Sequence, residues 1–267
     1  MIHLLPIWGS AALFLVVVMS AAWVVQRRTL QGAWADVFWS LGLGVAGMGV
    51  SLAPVDGATV SPRQWLAATL IALWGARVGL HIAARAGRER EDARYARLRH
   101  EWGQDFQARM FGFLMLQAGA AALLALSILV GARNPTAGLS FQDGLATAIF
   151  LSALVGETIA DRQLVAFKAE PANRGRVCDT GLWAWSRHPN YFFEWLAWCA
   201  WPVFAIDFSG GWPWGSLALS GPVYIYWLLT RVSGVPLLED HMRRSRPAAF
   251  AAYASRTSSF FPRPPRC

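Results

Sequence analysis

Apolar residues gather in seven long runs separated by short polar segments, at about Leu4 to Val25, Ala33 to Ala53, Trp65 to Ala84, Met110 to Val130, Leu145 to Phe167, Tyr191 to Ile206 and Trp214 to Val232. Each approaches the roughly 20 residues that cross about 30 Å of hydrocarbon at about 1.5 Å per residue. The pattern predicts an all-α, polytopic membrane protein with seven transmembrane helices in a single membrane domain, 1–267. The first run is read as a retained helix: it is longer than the apolar core of a secretory signal, lacks a basic start and ends in Gln26-Arg27-Arg28. Residues 237–256 interleave apolar and basic positions and predict an amphipathic helix on the cytoplasmic surface, either a surface anchor, with Leu238, Met242, Phe250 and Tyr253 as anchors, or a ligand lid. The Pro-rich stretch Phe261-Pro262-Arg263-Pro264-Pro265 cannot continue it.

Charge gives the runs a direction. Twenty basic residues fall in segments 26–32, 85–109, 168–190 and 231–267, whereas the alternate loops carry only Arg63 and Arg133. The positive-inside rule then places the N-terminus outside and the C-terminus in the cytoplasm, as in a bacterial inner (cytoplasmic) membrane. A hydrophobic content of 55% with only 15% charged residues excludes a disordered or ordinary soluble chain, and 15 Trp suit interfacial anchoring. The net charge of +8 comes almost entirely from Arg confined to loops, which fits cytoplasmic loops and a small anionic ligand rather than nucleic acid. Cys178, Cys199 and Cys267 are odd in number and lie far apart, so neither a disulfide framework nor a metal site is expected.

Ionisable residues inside apolar runs are the candidate chemistry, because a charge at the bilayer centre costs at least roughly 2.5–3.5 kcal/mol. On the third helix Arg77, His81 and Arg85 recur at i, i+4 and i+8 and stack on one face, one turn from Trp74. Such a column offers planar donors for phosphate oxygens, or it is a structural ion-pair partner. On the fifth, Glu157 and Asp161 share a face; they either balance the Arg column or accept hydrogen bonds from nucleotide amides and hydroxyls. The densest segment is Gly181-Leu182-Trp183-Ala184-Trp185-Ser186-Arg187-His188-Pro189-Asn190-Tyr191-Phe192-Phe193-Glu194-Trp195. Pro189 suits a first helical turn, Asn190 and Glu194 share a face, and Arg187 and His188 crowd a helix start that favours anions. Asp36 is a proton-donor candidate if burial protects its proton, or a plain helix-start Asp.

That segment, with Trp74-Gly75-Ala76-Arg77, Arg94-Tyr95 and Ser233-Gly234-Val235-Pro236-Leu237-Leu238-Glu239, resembles a bacterial family of uncharacterised membrane proteins similar to the C-terminal domain of steroid 5-alpha-reductases. The likeness covers about 65–267. It implies seven helices, NADPH bound among cytoplasmic helix ends and reduction of an activated carbon–carbon double bond in a lipid entering from the bilayer. It implies cofactor contacts at Arg77, Arg85, Arg88, Asp161, Arg176, Asn190 and Glu194. Glu157 stands where the steroid reductases have Asn, and His81 where they have Tyr.

The likeness departs from those reductases at the reacting end. Trp74 takes the place of their third-helix Tyr, and the second helix has no Gln-Glu pair. An indole N–H donates a hydrogen bond but does not deliver a proton as a phenol does. Trp74, Asp36 and a water are the resulting candidates for activating the substrate. Arg187-His188-Pro189-x-Tyr191 also resembles isoprenylcysteine carboxyl methyltransferases of the same superfamily, which bind S-adenosylmethionine, and the Glu239 region with Phe250 to Arg256 is similar to their tail. A non-enzymatic transporter or assembly factor is the third expectation.

Overall fold

The computed structural model describes residues 2–54, 59–86 and 93–265, and among them it is all-α. The helices are α1 (Leu5–Thr29), α2 (Ala33–Leu52), α3 (Pro62–Ala86), α4 (Ala93–Trp102), α5 (Phe106–Ala132), α6 (Phe141–Ala169), α7 (Leu182–Trp185), α8 (Pro189–Ala205), α9 (Ser220–Trp227), α10 (Val235–Ser245) and α11 (Pro247–Arg256). Five tracts are long and apolar enough to cross a membrane: α1, α2, α3, α6 and Tyr95–Ala132, whose apolar part is α5. Leu13, Val17, Leu80, Leu116 and Val155 on these helices are exposed, as expected where the solvent is lipid.

The remaining two apolar runs are built differently. The sixth is α8, 17 residues with Pro202 inside it, at the short end of the roughly 17–25 residues of membrane helices. The seventh is a 3₁₀ helix, Pro213–Leu219, then α9, then a π-helix, Leu228–Val232. Pro222 lies three residues into α9, where its missing N–H leaves no intrahelical bond unmade.

The chain forms two compact units: Met1–Asp143 with Phe204–Ala218, and Gly144–Val203 with Leu219–Cys267. In the first, α1 buries one stripe, Ala11, Leu15, Met19, Ala22 and Gln26, at spacings of three and four. Indole N–H groups tie other helices to α5: Trp8 donates to the Ala122 carbonyl (2.8 Å), Trp23 to Gln107 (3.1 Å) and Trp39 to Gln117 (3.1 Å).

Helices α2 and α3 meet backbone to backbone. A Cβ on Gly75 would stand 2.9 Å from the Gly44 Cα, and one on Gly44 would stand 3.2 Å from the Gly75 Cα. No side chain is there to yield, so Gly75→Val is expected to cost about 1–3 kcal/mol by forcing the helices apart. Thermal unfolding in detergent reads this as a lowered midpoint. Gly49→Ala is the control: its Cβ meets nothing within 4 Å, so its midpoint holds or rises slightly.

The two cations of the alternate loops are structural. The Arg63 Nε donates to Asp143 Oδ1 at 2.6 Å and Nη2 to Oδ2 at 2.8 Å, with both side chains 3% exposed. Its remaining N–H groups reach the carbonyls of Asn134, Thr136 and Gly138. The Arg133 Nη2 donates to the carbonyls of Val50 and Ala53, closing the end of α2.

In the second unit the α6–α7 connection is fixed by polar caps. The Asn173 amide donates to the Phe167 carbonyl at the end of α6 (3.0 Å), and the Leu182 N–H donates to Gln163 Oε1 (3.0 Å) at the start of α7. The tract expected to form one amphipathic helix over 237–256 is two helices, broken at Arg246 and Pro247. Proline cannot donate the hydrogen bond that would continue the first. Phe250 and Tyr253 are each 4% exposed and face protein, so of the four expected anchors Leu238 stands clearly exposed.

Candidate functional site

The polar face of the second unit starts on α6. Glu157 is buried, Asp161 follows one turn later, and α8 brings Asn190 to it: the Asn190 Nδ2 donates to Asp161 Oδ1 at 3.3 Å. One turn along α8, the Trp198 indole donates to Glu194 Oε1 at 2.9 Å. Gly156 lets the helices meet here, since a Cβ would fall 2.4 Å from the Phe193 ring. Four of the expected site residues, Glu157, Asp161, Asn190 and Glu194, thus stand on two neighbouring helix faces of one unit.

Arg187 has a different job from the one its motif predicts. Its Nε and Nη2 engage Glu239 Oε1 at 2.8 and 2.7 Å, and its Nη1 donates to the carbonyls of Ala254 and Thr257. With every nitrogen occupied inside the protein, it clasps the C-terminal segment and has no fork left for a cofactor phosphate. His188 is buried with its ring stacked on Tyr191 (centroids 5.5 Å apart, planes at 8°) and its Nε2 3.4 Å from Glu239 Oε1. The Arg243 Nη2 donates to the other Glu239 oxygen at 2.9 Å. Burial alone would raise the Glu239 pKa, but His188 and Arg187 outweigh it and hold the carboxyl at about 2.

The clasp continues through the backbone. Ser186 Oγ donates to the Phe260 carbonyl (2.8 Å), the Arg187 N–H to Ser258 (2.8 Å), the Arg263 N–H to Trp185 (2.9 Å) and the Tyr253 hydroxyl to the Trp183 carbonyl (2.6 Å). An open pocket of about 240 Å³ lies against it, with Arg187, Glu239 and Arg243 on one side and Pro247, Phe250 and Ala254 on the other.

The first unit holds the other expected residues. Trp74 is 1% exposed, its ring edge-on to Trp39 at 6.2 Å and 73°. Arg77 and His81 are half-buried on α3. Asp36 accepts a hydrogen bond from the Tyr95 hydroxyl at 3.0 Å, and Tyr95 is 1% exposed. Gly32 makes room for that ring, since a Cβ there would overlap it at 2.0 Å. In the sequence this phenol stands out only as part of Arg94-Tyr95, on a helix that also carries Leu98 and Trp102. Arg88 and the side chain of Arg85 lie outside the described residues. Arg176 is exposed and donates to Asn173 Oδ1 at 3.3 Å.

A family model described as a protein of unknown function, DUF1295, matches residues 22–257. The chain belongs to the DUF1295 family. The uncharacterized protein C594.04c of Schizosaccharomyces pombe is 27% identical over 231 residues, 76% of this chain and 64% of its own length. This chain therefore spans just under two thirds of that relative, which is a yeast and not a bacterial protein. No solved structure matches the chain. The family is one of unknown function, and the five long apolar helices among the described residues are those of a multi-pass membrane protein.

The second-unit groups suit part of a dinucleotide. Carboxylates at Glu157, Asp161 and Glu194 and the Asn190 amide match ribose hydroxyls and a carboxamide. They do not match phosphates, and Arg187 is closed to them.

Proposed function

We propose that this DUF1295 protein is an NADPH-dependent reductase of an activated carbon–carbon double bond in a bilayer lipid. We further propose seven spans, an outside N-terminus, a cytoplasmic C-terminus and, in a bacterium, residence in the inner membrane. The observation that supports the reading best is the Asn190–Asp161 hydrogen bond beside buried Glu157, a donor-and-acceptor patch on helices that are otherwise apolar. The likeness to steroid 5-alpha-reductases turns that patch toward hydride chemistry.

In this reading Asn190, Asp161, Glu157 and Glu194 hold the ribose and amide groups of the cofactor. The resemblance implies further cofactor contacts at Arg77 and Arg176 and phosphate-side ones at Arg85 and Arg88, while Arg187 and His188 belong to the clasp around Glu239. NADPH, when bound, supplies the hydride. Among the first-unit candidates for a proton source, Tyr95 suits the role better than Trp74, because a phenol transfers a proton where an indole does not; its hydroxyl donates to Asp36.

S-adenosylmethionine is the second reading. The closing of Arg187 by Glu239 favours it, because a patch left rich in carboxylates suits a cationic cofactor without phosphates.

Thermal unfolding of the detergent-solubilised protein with NADPH, NADH or S-adenosylmethionine separates these readings. NADPH is expected to raise the midpoint. Asn190→Ala and Arg77→Ala abolish the rise while unfolding cooperatively by themselves, and Tyr95→Phe keeps it. A rise with S-adenosylmethionine alone replaces the reductase with a methyltransferase. No rise with any of the three points to a non-enzymatic transporter or assembly factor.

A further inference from the structure

The pocket against the C-terminal clasp is independent of the reductase reading, and its walls have an unusual composition. Two guanidinium groups, Arg187 and Arg243, lie over the Phe250 ring with their carbons 5.9 and 5.6 Å from its centroid. They face one carboxylate, Glu239, whose oxygens already accept from Arg187, Arg243 and the Ser259 hydroxyl. The pocket is therefore net positive, and its single anion is fully engaged.

The two cations differ in what they have left. All the nitrogens of Arg187 are occupied within the protein, whereas the side chain of Arg243 is 60% exposed and, among the described residues, donates from Nη2 to Glu239. Its guanidinium, a planar fork, lies over an aromatic ring with most of the side chain open to solvent, an arrangement suited to phosphate oxygens. The α11 helix opens at Pro247 on the pocket wall, and Arg246 at its N-cap gives no side-chain hydrogen bond to the first turn. The wall residues Pro247, Phe250, Ala251 and Ala254 follow one face of α11.

Size and lining restrict the ligand. A volume of about 240 Å³ falls below the roughly 300–1,000 Å³ of pockets that enclose drug-sized molecules. A phosphate with a short attached group fills it, and the rest of any larger ligand would extend through its open side. The floor of Pro247, Phe250 and Ala254 is apolar, which a bare hydrated ion would not use but a glycerol backbone and the start of an acyl chain would. Leu238 and Phe261 are exposed nearby in the chain, and residues 235–265 carry five Arg against two carboxylates. A basic segment with exposed apolar side chains fits an anionic bilayer surface.

We propose that this pocket binds the phosphate of an anionic phospholipid headgroup, with Arg243 as the principal donor and Phe250 as the platform. The shared chemistry is a phosphate ester on an apolar stem, and a soluble phosphate ester is the other source of it. The full-length protein in detergent is titrated with dihexanoyl phosphatidylglycerol, dihexanoyl phosphatidylcholine, glycerol 3-phosphate and inorganic phosphate, with thermal midpoint as the readout. Phosphatidylglycerol is expected to stabilise the protein saturably and phosphatidylcholine is not.

Arg243→Gln is expected to weaken the half-saturation at least tenfold, and Arg243→Lys to recover part of it. Ala254→Leu fills the pocket without removing a charge and gives the same loss, which covers the case in which Arg243→Gln fails to fold. Stabilisation by phosphatidylglycerol that Ala254→Leu and either Arg243 variant leave intact overturns the proposal. Equal stabilisation by phosphatidylcholine, or none by phosphatidylglycerol, also overturns it. Stabilisation by glycerol 3-phosphate at the same concentration as phosphatidylglycerol overturns the membrane source and assigns the pocket to a soluble ester.

Discussion

Arg63→Met is expected to lower the unfolding free energy by about 3–5 kcal/mol, the largest stability loss from any single site in the first unit. The pair it breaks is 3% exposed on both sides, so the Asp143 carboxylate would stay behind in a place that water does not reach. Three loop carbonyls, those of Asn134, Thr136 and Gly138, would lose their donor in the same step. Asp143 also accepts from the Ser140 N–H and hydroxyl at the start of α6, so its own backbone partners hold it in place after the Arg is gone. Thermal unfolding in detergent measures the loss. The double variant Arg63→Met, Asp143→Leu is expected to recover a large part of it, because the penalty comes from the stranded charge more than from the missing pair. A double variant no more stable than Arg63→Met would show that the loop carbonyls carry the effect instead.

Glu239→Gln is expected to release the C-terminal segment, read as new proteolytic cleavage between α9 and residue 262 under conditions that leave the parent intact. Gln cannot neutralise Arg187, whose side chain is only 12% exposed, nor bind Arg187 and Arg243 together as a carboxylate does. The same residue sets a pH dependence. Its carboxyl titrates at about 2 in the folded protein against an ordinary 4.5, so the folded state favours the ionised form and the unfolded state binds the proton first. The resulting stability, about 3 kcal/mol at about 1.4 kcal/mol per unit, is complete above about pH 4.5 and disappears as pH falls toward 2. Cleavage of the parent should therefore rise over that interval for an acid-stable protease, while Glu239→Gln should be cleaved to the same extent throughout. A parent that shows no change between those limits would mean that Glu239 does not hold the tail.

The helices were legible where hydrophobicity alone decides. Predicted runs such as Ala33 to Ala53 fall within a residue or so of α2, because twenty apolar residues have no competing structure in lipid. The seventh run was apolar enough to be seen but hid its irregularity, although Pro213, Pro222 and Gly221 were visible breakers. Side-chain partners far apart in sequence were not legible. Arg187 looked like a phosphate donor because Pro189 and Asn190 beside it were read correctly as a helix start, while its true partner Glu239 lies 52 residues away. Tyr95 and Asp36 are 59 residues apart and meet because Gly32 has no side chain. Arg63 and Arg133 counted only as exceptions in a charge tally, yet Arg63 holds Asp143 and three loop carbonyls and Arg133 closes the end of α2. Periodicity reports which face is apolar; it carries no information on which distant carboxylate reaches a cation first.

The widened turn at Leu228–Val232, where the Ser233 N–H reaches back five residues to the Leu228 carbonyl, has an evolutionary corollary. Such a turn holds about one residue more than an ordinary α turn, so losing a single residue there restores regular winding and leaves the flanking turns in register. The same loss inside the regular part of α9 would rotate the rest of that helix by about 100°. Single-residue length changes among descendants of this sequence should consequently collect in this stretch and spare the turns before it.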